Sequence, residues 1–379
     1  MRAAGIAPDA ISFSASISAC EKAEEWERGL SLLNDMLAAG IAPNVISFSA
    51  AISACEKGGE WEPALSLLHR MRAAGIAPNV WSFNAAISAC EKAGKWEDAL
   101  SLLDEMRATG TVPDVISYNA AISACEKGRE WVRALLLLDE MRIAGVAPEV
   151  ISFNAAISAC EKGREWKRAL SLLDEMRAAG IAPNVVSFNS AISACEKELE
   201  RERAFALLDE MRGASVAPDV ISFSATISVC EKTEELKLAL SLLDDMREAG
   251  IPLNAICFSA AISACEKVGE WERALSLLHE MHSETIAPSM ISFNAACWAC
   301  EKAGMWEHAL WLLDGMRAAG FAPNVISLTA AISACEKGGT WERTSPLLDE
   351  MLSDGVARAR AVAALDDARG GHDARRDRF

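Results

Sequence analysis

A period of 35 residues runs through almost the whole chain and limits what the chain can fold into. Cysteine recurs at this spacing from Cys20 to Cys335, and no insertion or deletion breaks the register of the ten copies. Proline keeps the same period from Pro8 to Pro323, with one interruption at Leu253. Self-similarity at 20–50 residues is typical of solenoids and other repeat arrays. A count of domains from the length of 379 residues is therefore the wrong starting point.

Each unit predicts a helical hairpin. In the unit 150–184, apolar residues recur at helical spacing over 151–162 and again over 165–179. Gly180 and Pro183 follow as helix stop signals, and no segment alternates like a strand. A lone hairpin cannot bury its apolar stripe, so neighbouring hairpins must stack. The sequence predicts an all-α solenoid.

The register divides the chain into three parts. Residues 1–9 match the closing part of a unit, residues 10–359 hold ten units, and residues 360–379 form a charged tail that we expect to be disordered. Because the chain begins inside a unit, the sequence suggests a fragment or a misplaced start codon. The last unit is degenerate, since Pro346 falls inside its second helix and is expected to break it.

We call the residues at one position of all the repeats a column, and three columns are predicted to lie in the core. Tryptophan opens the second helix in eight units, in phase with alanine and leucine, which favours packing between repeats over the alternative of base stacking. The cysteines behave as small hydrophobes if they are free, and this fits a reduced compartment. The methionine column, from Met36 to Met351, has the same interpretation.

Composition and motifs argue against several classes of protein. The net charge of −17 argues against a generally basic nucleic-acid coat, and the apolar runs are far shorter than the roughly 20 residues that cross a bilayer. Cys297 and Cys300 form a CxxC pair without a second pair, and His279 and His282 lack the spacing of an HExxH motif. We predict no catalytic, metal or cofactor site, and therefore no enzyme.

The unit resembles the pentatricopeptide repeat family, in its P-type class with every repeat 35 residues long. The motif in unit 150–184 runs from Phe153-Asn154 through Asp174-Glu-Met176 to Pro183-Asn184. This resemblance covers residues 10–359 and implies a right-handed superhelical solenoid of stacked helix-turn-helix repeats. It also implies sequence-selective binding of single-stranded RNA, with the chain parallel to the RNA, in RNA processing, stability or translation. Mitochondrion or chloroplast is the implied location, other RNA-processing proteins are further partners, and neither membrane nor DNA is expected.

The family reads one base per repeat with the fifth and the last residue of each unit. Short polar side chains in these columns present oriented donors and acceptors that can tell base edges apart. Carried onto this chain, the reader pairs are Ser14 with Asn44, Ser49 with Asn79, Asn84 with Asp114, Asn119 with Glu149, Asn154 with Asn184, Asn189 with Asp219, Ser224 with Asn254, Ser259 with Ser289, and Asn294 with Asn324. In the tenth unit Thr329 is matched by Ala359, so the closing reader is lost.

The resemblance implies a target sequence. Ser-Asn pairs prefer adenine, Asn-Asp pairs prefer uracil and Asn-Asn pairs prefer a pyrimidine. The predicted target is A-A-U-n-Y-U-A-n-Y, where Y is a pyrimidine. The fourth and eighth bases stay unassigned because Asn119 with Glu149 and Ser259 with Ser289 depart from the usual pairs.

Two more columns resemble functional positions of the family. The second residue of each unit would clamp the base, although ordinary core is an equally good interpretation of these branched side chains; it is Ile11, Ile46, Trp81, Ile116, Ile151, Val186, Ile221, Ile256, Ile291 and Ile326. A lysine column would contact phosphate, and its members are Lys22, Lys57, Lys92, Lys127, Lys162, Lys197, Lys232, Lys267, Lys302 and Lys337. The alternative for the lysines is a solvated helix end that favours a cation. We expect the acids to cluster elsewhere, as in Asp174-Glu175.

The main alternative function is a protein- or peptide-binding helical scaffold with no role in RNA. A further possibility is that the copies are recent duplicates with inactive readers. The dependence of binding on salt distinguishes RNA binding from peptide binding, because phosphate contacts weaken steeply with salt whereas apolar peptide contacts do not.

Overall fold

The structure, a computed structural model, describes residues 8–353, and every regular element in that part is helical. The chain divides into two compact units, Met1–Glu198 and Leu199–Phe379. The first unit contains the helices α1 Ala10–Lys22, α2 Trp26–Ala38, α3 Val45–Gly58, α4 Trp61–Ala73, α5 Val80–Lys92, α6 Trp96–Ala108, α7 Val115–Lys127, α8 Trp131–Ile143, α9 Val150–Lys162, α10 Trp166–Ala178 and α11 Val185–Lys197. The second contains α12 Arg201–Gly213, α13 Val220–Lys232, α14 Leu236–Glu248, α15 Ala255–Val268, α16 Trp271–Ser283, α17 Met290–Ala303, α18 Trp306–Ala318, α19 Val325–Lys337 and α20 Thr344–Ser353.

Within each unit the helices form stacked hairpins, as the period predicts. We call the first helix of a repeat its A helix and the second its B helix. An A helix such as α5 packs against its own B helix α6 and against the A helices α3 and α7 of the adjacent repeats. It also contacts α4, the B helix of the preceding repeat. Each hairpin therefore buries its apolar stripe against its neighbours, which a single copy could not do.

The turn after each B helix ends the helix in the left-handed region. Gly180 has φ of +74°, its N–H donates to Arg177 O, and the next N–H, of Ile181, donates to Met176 O at 3.0 Å. This is the Schellman arrangement, which satisfies carbonyls that the helix end leaves free. The prediction that Gly180 ends the helix is confirmed.

The core consists of the columns that recur with the period. In the repeat 150–184 the side chains of Phe153, Ile157, Cys160 and Met176 are buried to 1% exposure or less. All twelve cysteines are free and buried, and the methionine column is buried from Met36 to Met351. The predictions for the cysteine and methionine columns are confirmed.

Seven of the eight tryptophans of the column are half-buried rather than core, and Trp341 is 72% exposed; where a tryptophan packs on the next repeat, it explains a set of glycines. Trp131 opens α8, and a Cβ added at Gly163, at the end of the next A helix, would lie 2.4 Å from Trp131 Cδ1. Gly163 has an ordinary right-handed conformation. Glycine at position 163 makes room for the indole ring, which approaches the backbone closely. It is not there for a left-handed turn, because the residue with positive φ is the following Arg164.

Pro346 does not break the second helix of the last repeat, contrary to the prediction. Residues Trp341–Arg343 form a short 3-10 turn, and α20 begins at Thr344, so that Pro346 lies in its first turn. The N–H groups of a first turn have no partner inside the helix, so proline removes no helical hydrogen bond there. The last B helix is shortened to 10 residues rather than broken. The predictions for residues 1–7 and for the tail 360–379 lie outside the described residues.

Candidate nucleic-acid interface

The last residue of a repeat, one of the two predicted readers, is the N-cap of the next A helix. Asn79 Oδ1 accepts a hydrogen bond from Ser82 N at 2.9 Å, and Asp114 Oδ1 accepts from Ser117 N at 3.0 Å. Asparagine, aspartate and serine are good N-caps because a short side-chain oxygen reaches the free N–H groups of the first turn. Capping therefore fixes each of these reader side chains at the start of a helix.

The fifth residue lies beside this N-cap, so the structure brings the two readers of several repeats together. Asn84 Nδ2 donates to Asp114 Oδ1 at 3.0 Å, and Asn154 Nδ2 donates to Asn184 Oδ1 at 3.2 Å. In the eighth repeat the hydroxyls of Ser259 and Ser289 are 3.4 Å apart. The pairs were predicted at a sequence separation of 30 residues, and stacking makes them neighbours.

A column of buried serines, which the sequence analysis did not identify, holds the fifth residue. Ser117 Oγ donates to Asn84 Oδ1 at 2.6 Å, and the corresponding bonds from Ser152 to Asn119 and from Ser187 to Asn154 are also 2.6 Å long. The column is the third residue of the following repeat, and eight of its members have no exposed area: Ser47, Ser82, Ser117, Ser152, Ser187, Ser222, Ser292 and Ser327. The recurrence of this serine in nine of the ten repeats, between apolar columns, was the signal available in the sequence.

These hydrogen bonds fix which way the amides of Asn84, Asn119 and Asn154 face. Ser117 Oγ also accepts from Asp114 N at 3.1 Å, so the same hydroxyl completes the helix cap and holds the reader. With its oxygen held by serine, the Asn84 amide directs its Nδ2 donors toward the other reader and the groove.

Serine readers also contact the supporting serines, with Ser49 Oγ 2.8 Å from Ser82 Oγ and Ser259 Oγ 2.9 Å from Ser292 Oγ, and some of them bond to their own helix as well. Ser224 Oγ donates to Val220 O and Ser259 Oγ to Ala255 O, each at 2.6 Å, so these hydroxyls bond to their own helix. In the seventh repeat the supporting serine is replaced by Cys257, whose sulfur is 3.1 Å from Ser224 Oγ. Sulfur is the weaker hydrogen-bonding partner.

The remaining readers are not joined in the same way. Ser14 bonds to Ala10 O and Thr329 to Val325 O, and Ala359, the partner expected for Thr329, lies outside the described residues. Asn294 Oδ1 is buried and has no hydrogen-bond partner in the described part of the chain. Asn189 lies in the first unit and Asp219 in the second, where Asp219 caps α13.

The second residues of the repeats are exposed, which shows that the core interpretation of this column is wrong. Their exposure ranges from 50% at Ile326 to 79% at Trp81. In the first unit Ile46, Trp81 and Ile116 line a groove of about 550 Å³ together with the readers Ser49, Asn79, Asn84 and Asp114. We call this surface the reader groove. An exposed aliphatic column beside paired polar side chains can hold a flat ring and offer hydrogen bonds at its edge.

At least six of the ten lysines of the column pair with carboxylates, contrary to the expectation that the acids cluster elsewhere. Lys127 Nζ lies 2.8 Å from Glu91 and Lys162 Nζ 2.8 Å from Glu126, each across one repeat boundary. The same pairing joins Lys57 to Glu21, Lys92 to Glu56, Lys197 to Glu161, and Lys337 to Glu301. The glutamate precedes each lysine in sequence, so helix stacking brings one repeat's lysine to the previous repeat's acid. The stripe is a ladder of ion pairs.

The thiols are unsuited to chemistry. Burial raises the pKa of Cys297, of Cys300 and of Cys160 to about 12, so that these thiols stay protonated at neutral pH. Within residues 8–353, no group of three or more His, Cys, Asp or Glu side chains could hold a metal ion. In the same range no helix has the length and apolar character needed to cross a membrane.

Fold and site together define a helical-repeat protein in which several repeats carry a joined pair of polar side chains. Family models match nearly the whole repeat region: the pentatricopeptide repeat domain at 31–93 and 136–198, the PPR repeat family at 78–127, the PPR repeat at 11–41 and 116–146, and the pentacotripeptide-repeat region of PRORP at 187–363. The chain belongs to the pentatricopeptide repeat family.

One solved structure shows the same architecture over almost the whole chain, and two further matches are weaker. The pentatricopeptide repeat protein PPR10 from maize is 26% identical, with a TM-score of 0.63 over 95% of this chain and 55% of that one. PPR10 in complex with an 18-nt psaJ RNA element matches at 24% identity and a TM-score of 0.48, over 91% of this chain and 54% of that one. The PPR domain of Arabidopsis thaliana protein-only RNase P 1 in complex with tRNA is 20% identical, with a TM-score of 0.42, over 49% of this chain and 95% of that one.

This chain thus spans about half the length of PPR10. Among curated protein sequences, none matches it significantly.

Proposed function

We propose that the chain binds single-stranded RNA sequence-selectively in the reader groove, with one base per repeat, and serves RNA processing, stability or translation. The observation that carries the proposal is the juxtaposition of Asn84 with Asp114, joined at 3.0 Å, beside the exposed Trp81 and Ile116. Oriented amide and carboxylate groups read base edges, while apolar side chains hold the base plane. Membership of the pentatricopeptide repeat family supports the same function.

The target follows from the reader pairs. A-A-U-n-Y-U-A-n-Y is the expected sequence, read 5′ to 3′ from the first repeat. The chain does no chemistry of its own in this proposal, and its action consists of occupying the RNA or recruiting other RNA-processing proteins. We also propose a mitochondrial or chloroplast location, which rests on the family alone and which imaging of the tagged protein in its own cells tests.

The test is an unbiased RNA selection with the full chain at near-physiological salt. Enrichment of A-A-U-n-Y-U-A-n-Y is the expected result. Enrichment of an unrelated motif would retain RNA binding and discard the base assignments. The double variant Asn84→Ser with Asp114→Asn should then move the third base from uracil to adenine, by about 1–3 kcal/mol if discrimination resembles other bidentate readout.

A peptide-binding scaffold is the second candidate, and one observation favours it. The reader groove exposes Ile46 and Trp81, and its carboxylates Glu21 and Glu56 are ion-paired with lysines of the next repeat, so the groove presents a largely apolar surface. That surface suits an apolar peptide. Failure of the selection to enrich any RNA would make this candidate the leading one.

A further inference from the structure

A second groove lies at the other end of the A helices in the first unit. It has a volume of about 510 Å³ and is lined by Lys127, Arg129, Glu161, Lys162, Arg164 and Lys197. These residues come from three consecutive repeats, at the carboxyl ends of α7, α9 and α11 and in the loops that follow α7 and α9. Five cations and one carboxylate meet here, in a chain whose net charge is −17.

The arginines of this groove supply its uncompensated charge. Its three lysines are engaged with glutamates of the preceding repeats at 2.8 Å. Arg129 is exposed and forms no ion pair with any of residues 8–353. Arg164 has a side chain that is 72% exposed and lies 3.8 Å from Glu198, at the outer limit of an ion pair.

The arginines are confined to the fourth and fifth repeats. The same position is Gly59 and Gly94 in the second and third repeats, and Glu24, Leu199 or Glu234 in others. The backbone at this position is left-handed, with φ of +61° at both Arg129 and Arg164 and +77° at Gly59. Glycine is therefore the residue with the least strain here, and the two arginines occupy a conformation that side chains disfavour.

We infer that this groove binds the phosphate backbone of the RNA, with Arg129 and Arg164 as its phosphate ligands; the inference rests on the proposed function. The guanidinium group offers paired N–H donors that match phosphate oxygens. The ladder lysines already have a carboxylate partner at 2.8 Å, whereas Arg129 has no ion pair within residues 8–353 and Arg164 has only the long one to Glu198. In this inference the arginines hold the RNA at the fourth and fifth repeats, toward the end of the first unit, rather than evenly along the repeats.

The two grooves are close enough for one strand. Asn154 and Lys162 lie on the same helix, α9, eight residues apart, which is about 12 Å along a helix. One A helix can therefore contact a base at Asn154 and, at the arginine groove, the phosphate of that nucleotide or of a neighbouring one. We assign the phosphates around the fourth to sixth nucleotides of the target to this groove.

The test compares two double variants of the full chain. Arg129→Gly with Arg164→Gly installs the residue that other repeats have, so thermal stability should be kept or raised. Arg133→Ala with Arg168→Ala is the matched control, since it removes equal charge from the exposed face of α8 and α10 in the same repeats. RNA affinity is measured by fluorescence anisotropy at several salt concentrations, with RNA enriched by the selection described above.

The glycine variant should lower the log–log salt slope by about 1.4, at roughly 0.7 per phosphate contact on single strands. The ratio of the RNA affinity of the native chain to that of the variant then falls about sevenfold between about 50 and about 200 mM salt. The native chain should bind RNA with uncharged methylphosphonate linkages at nucleotides four to six more weakly, with the same decrease in salt slope. The glycine variant should lose little further affinity for this RNA.

Two results would overturn the inference while leaving the proposed function intact. The first is a glycine variant that binds RNA with the native slope. The second is an equal loss in the control variant, which would reduce the effect to net charge. A native chain that binds no RNA would instead refute the proposed function itself.

Discussion

Replacing Ser117 by alanine should weaken the uracil preference of the third repeat without abolishing binding. Ser117 Oγ is buried, donates to Asn84 Oδ1 at 2.6 Å and accepts from Asp114 N at 3.1 Å. The variant removes one of the two hydrogen bonds that orient the Asn84 amide and leaves only the donation from Asn84 Nδ2 to Asp114 Oδ1. The reader is retained, but its orientation is held less firmly.

The structure sets the size of both effects. Without the hydroxyl, Asn84 Oδ1 and Asp114 N each lose a hydrogen-bond partner. This loss should lower the free energy of unfolding by about 1–3 kcal/mol. The bond from Ser117 N to Asp114 Oδ1 remains, so α7 keeps its N-cap. A uracil preference of about 5- to 150-fold, the range of bidentate readout, should fall toward parity at the third base.

The assay is competition binding with four RNAs that differ only at the third base, and with a second set that differs only at the first. Discrimination at the first base should be unchanged in Ser117→Ala. A loss of stability with full uracil preference would refute the orienting role of the serine. So would an equal loss of discrimination at every base, because that result would indicate general loosening.

The chain also supplies the converse experiment. Cys257 occupies the serine position beside Ser224, and Cys257→Ser should increase adenine preference at the seventh base while completing the cap with Asn254. This is a gain, which a variant that merely misfolds cannot produce. An unchanged preference at the seventh base would count against the serine column as a determinant of specificity.

Three further predictions test the surface, the ladder and the core. Ile116→Ala should weaken RNA binding with little effect on stability because the side chain is 59% exposed, whereas Ile122→Ala on the same helix should cost about 2–5 kcal/mol, which urea unfolding measures. Glu56→Gln should free Lys92 and steepen the salt slope of RNA binding by about 0.7; a shallower slope would contradict the ladder as a restraint. Burial raises the pKa of the Cys160 thiol from 9.0 to about 12, so between these pH values only the unfolded chain loses the proton and stability falls with rising pH, by about 1.4 kcal/mol per unit for each such thiol. Cys160→Ala should therefore lessen the slope of stability against pH above 9, measured by chemical denaturation, and an unchanged slope would contradict the burial argument.

The helical hairpin and its core follow from the amino-acid sequence alone. These features depend on spacing within one repeat: apolar residues at helical intervals, Gly180 at a helix end, and short polar side chains where a helix begins. Local rules of this kind need no knowledge of how repeats stack. Repetition over ten copies then made stacking necessary, because no single hairpin can bury its stripe.

Which columns face the groove, and which columns pair with each other, depends on how the repeats stack. Ile116 and Ile122 are the same residue type on one helix, yet the first is 59% exposed and the second is buried, because stacking covers one and leaves the other. The bond from Ser117 to Asn84 spans 33 residues and the pair of Lys127 with Glu91 spans 36. Both separations are close to the period without equalling it. They arise because an A helix lies against the A helix of the preceding repeat with a small offset, and that offset is a property of packing rather than of sequence spacing.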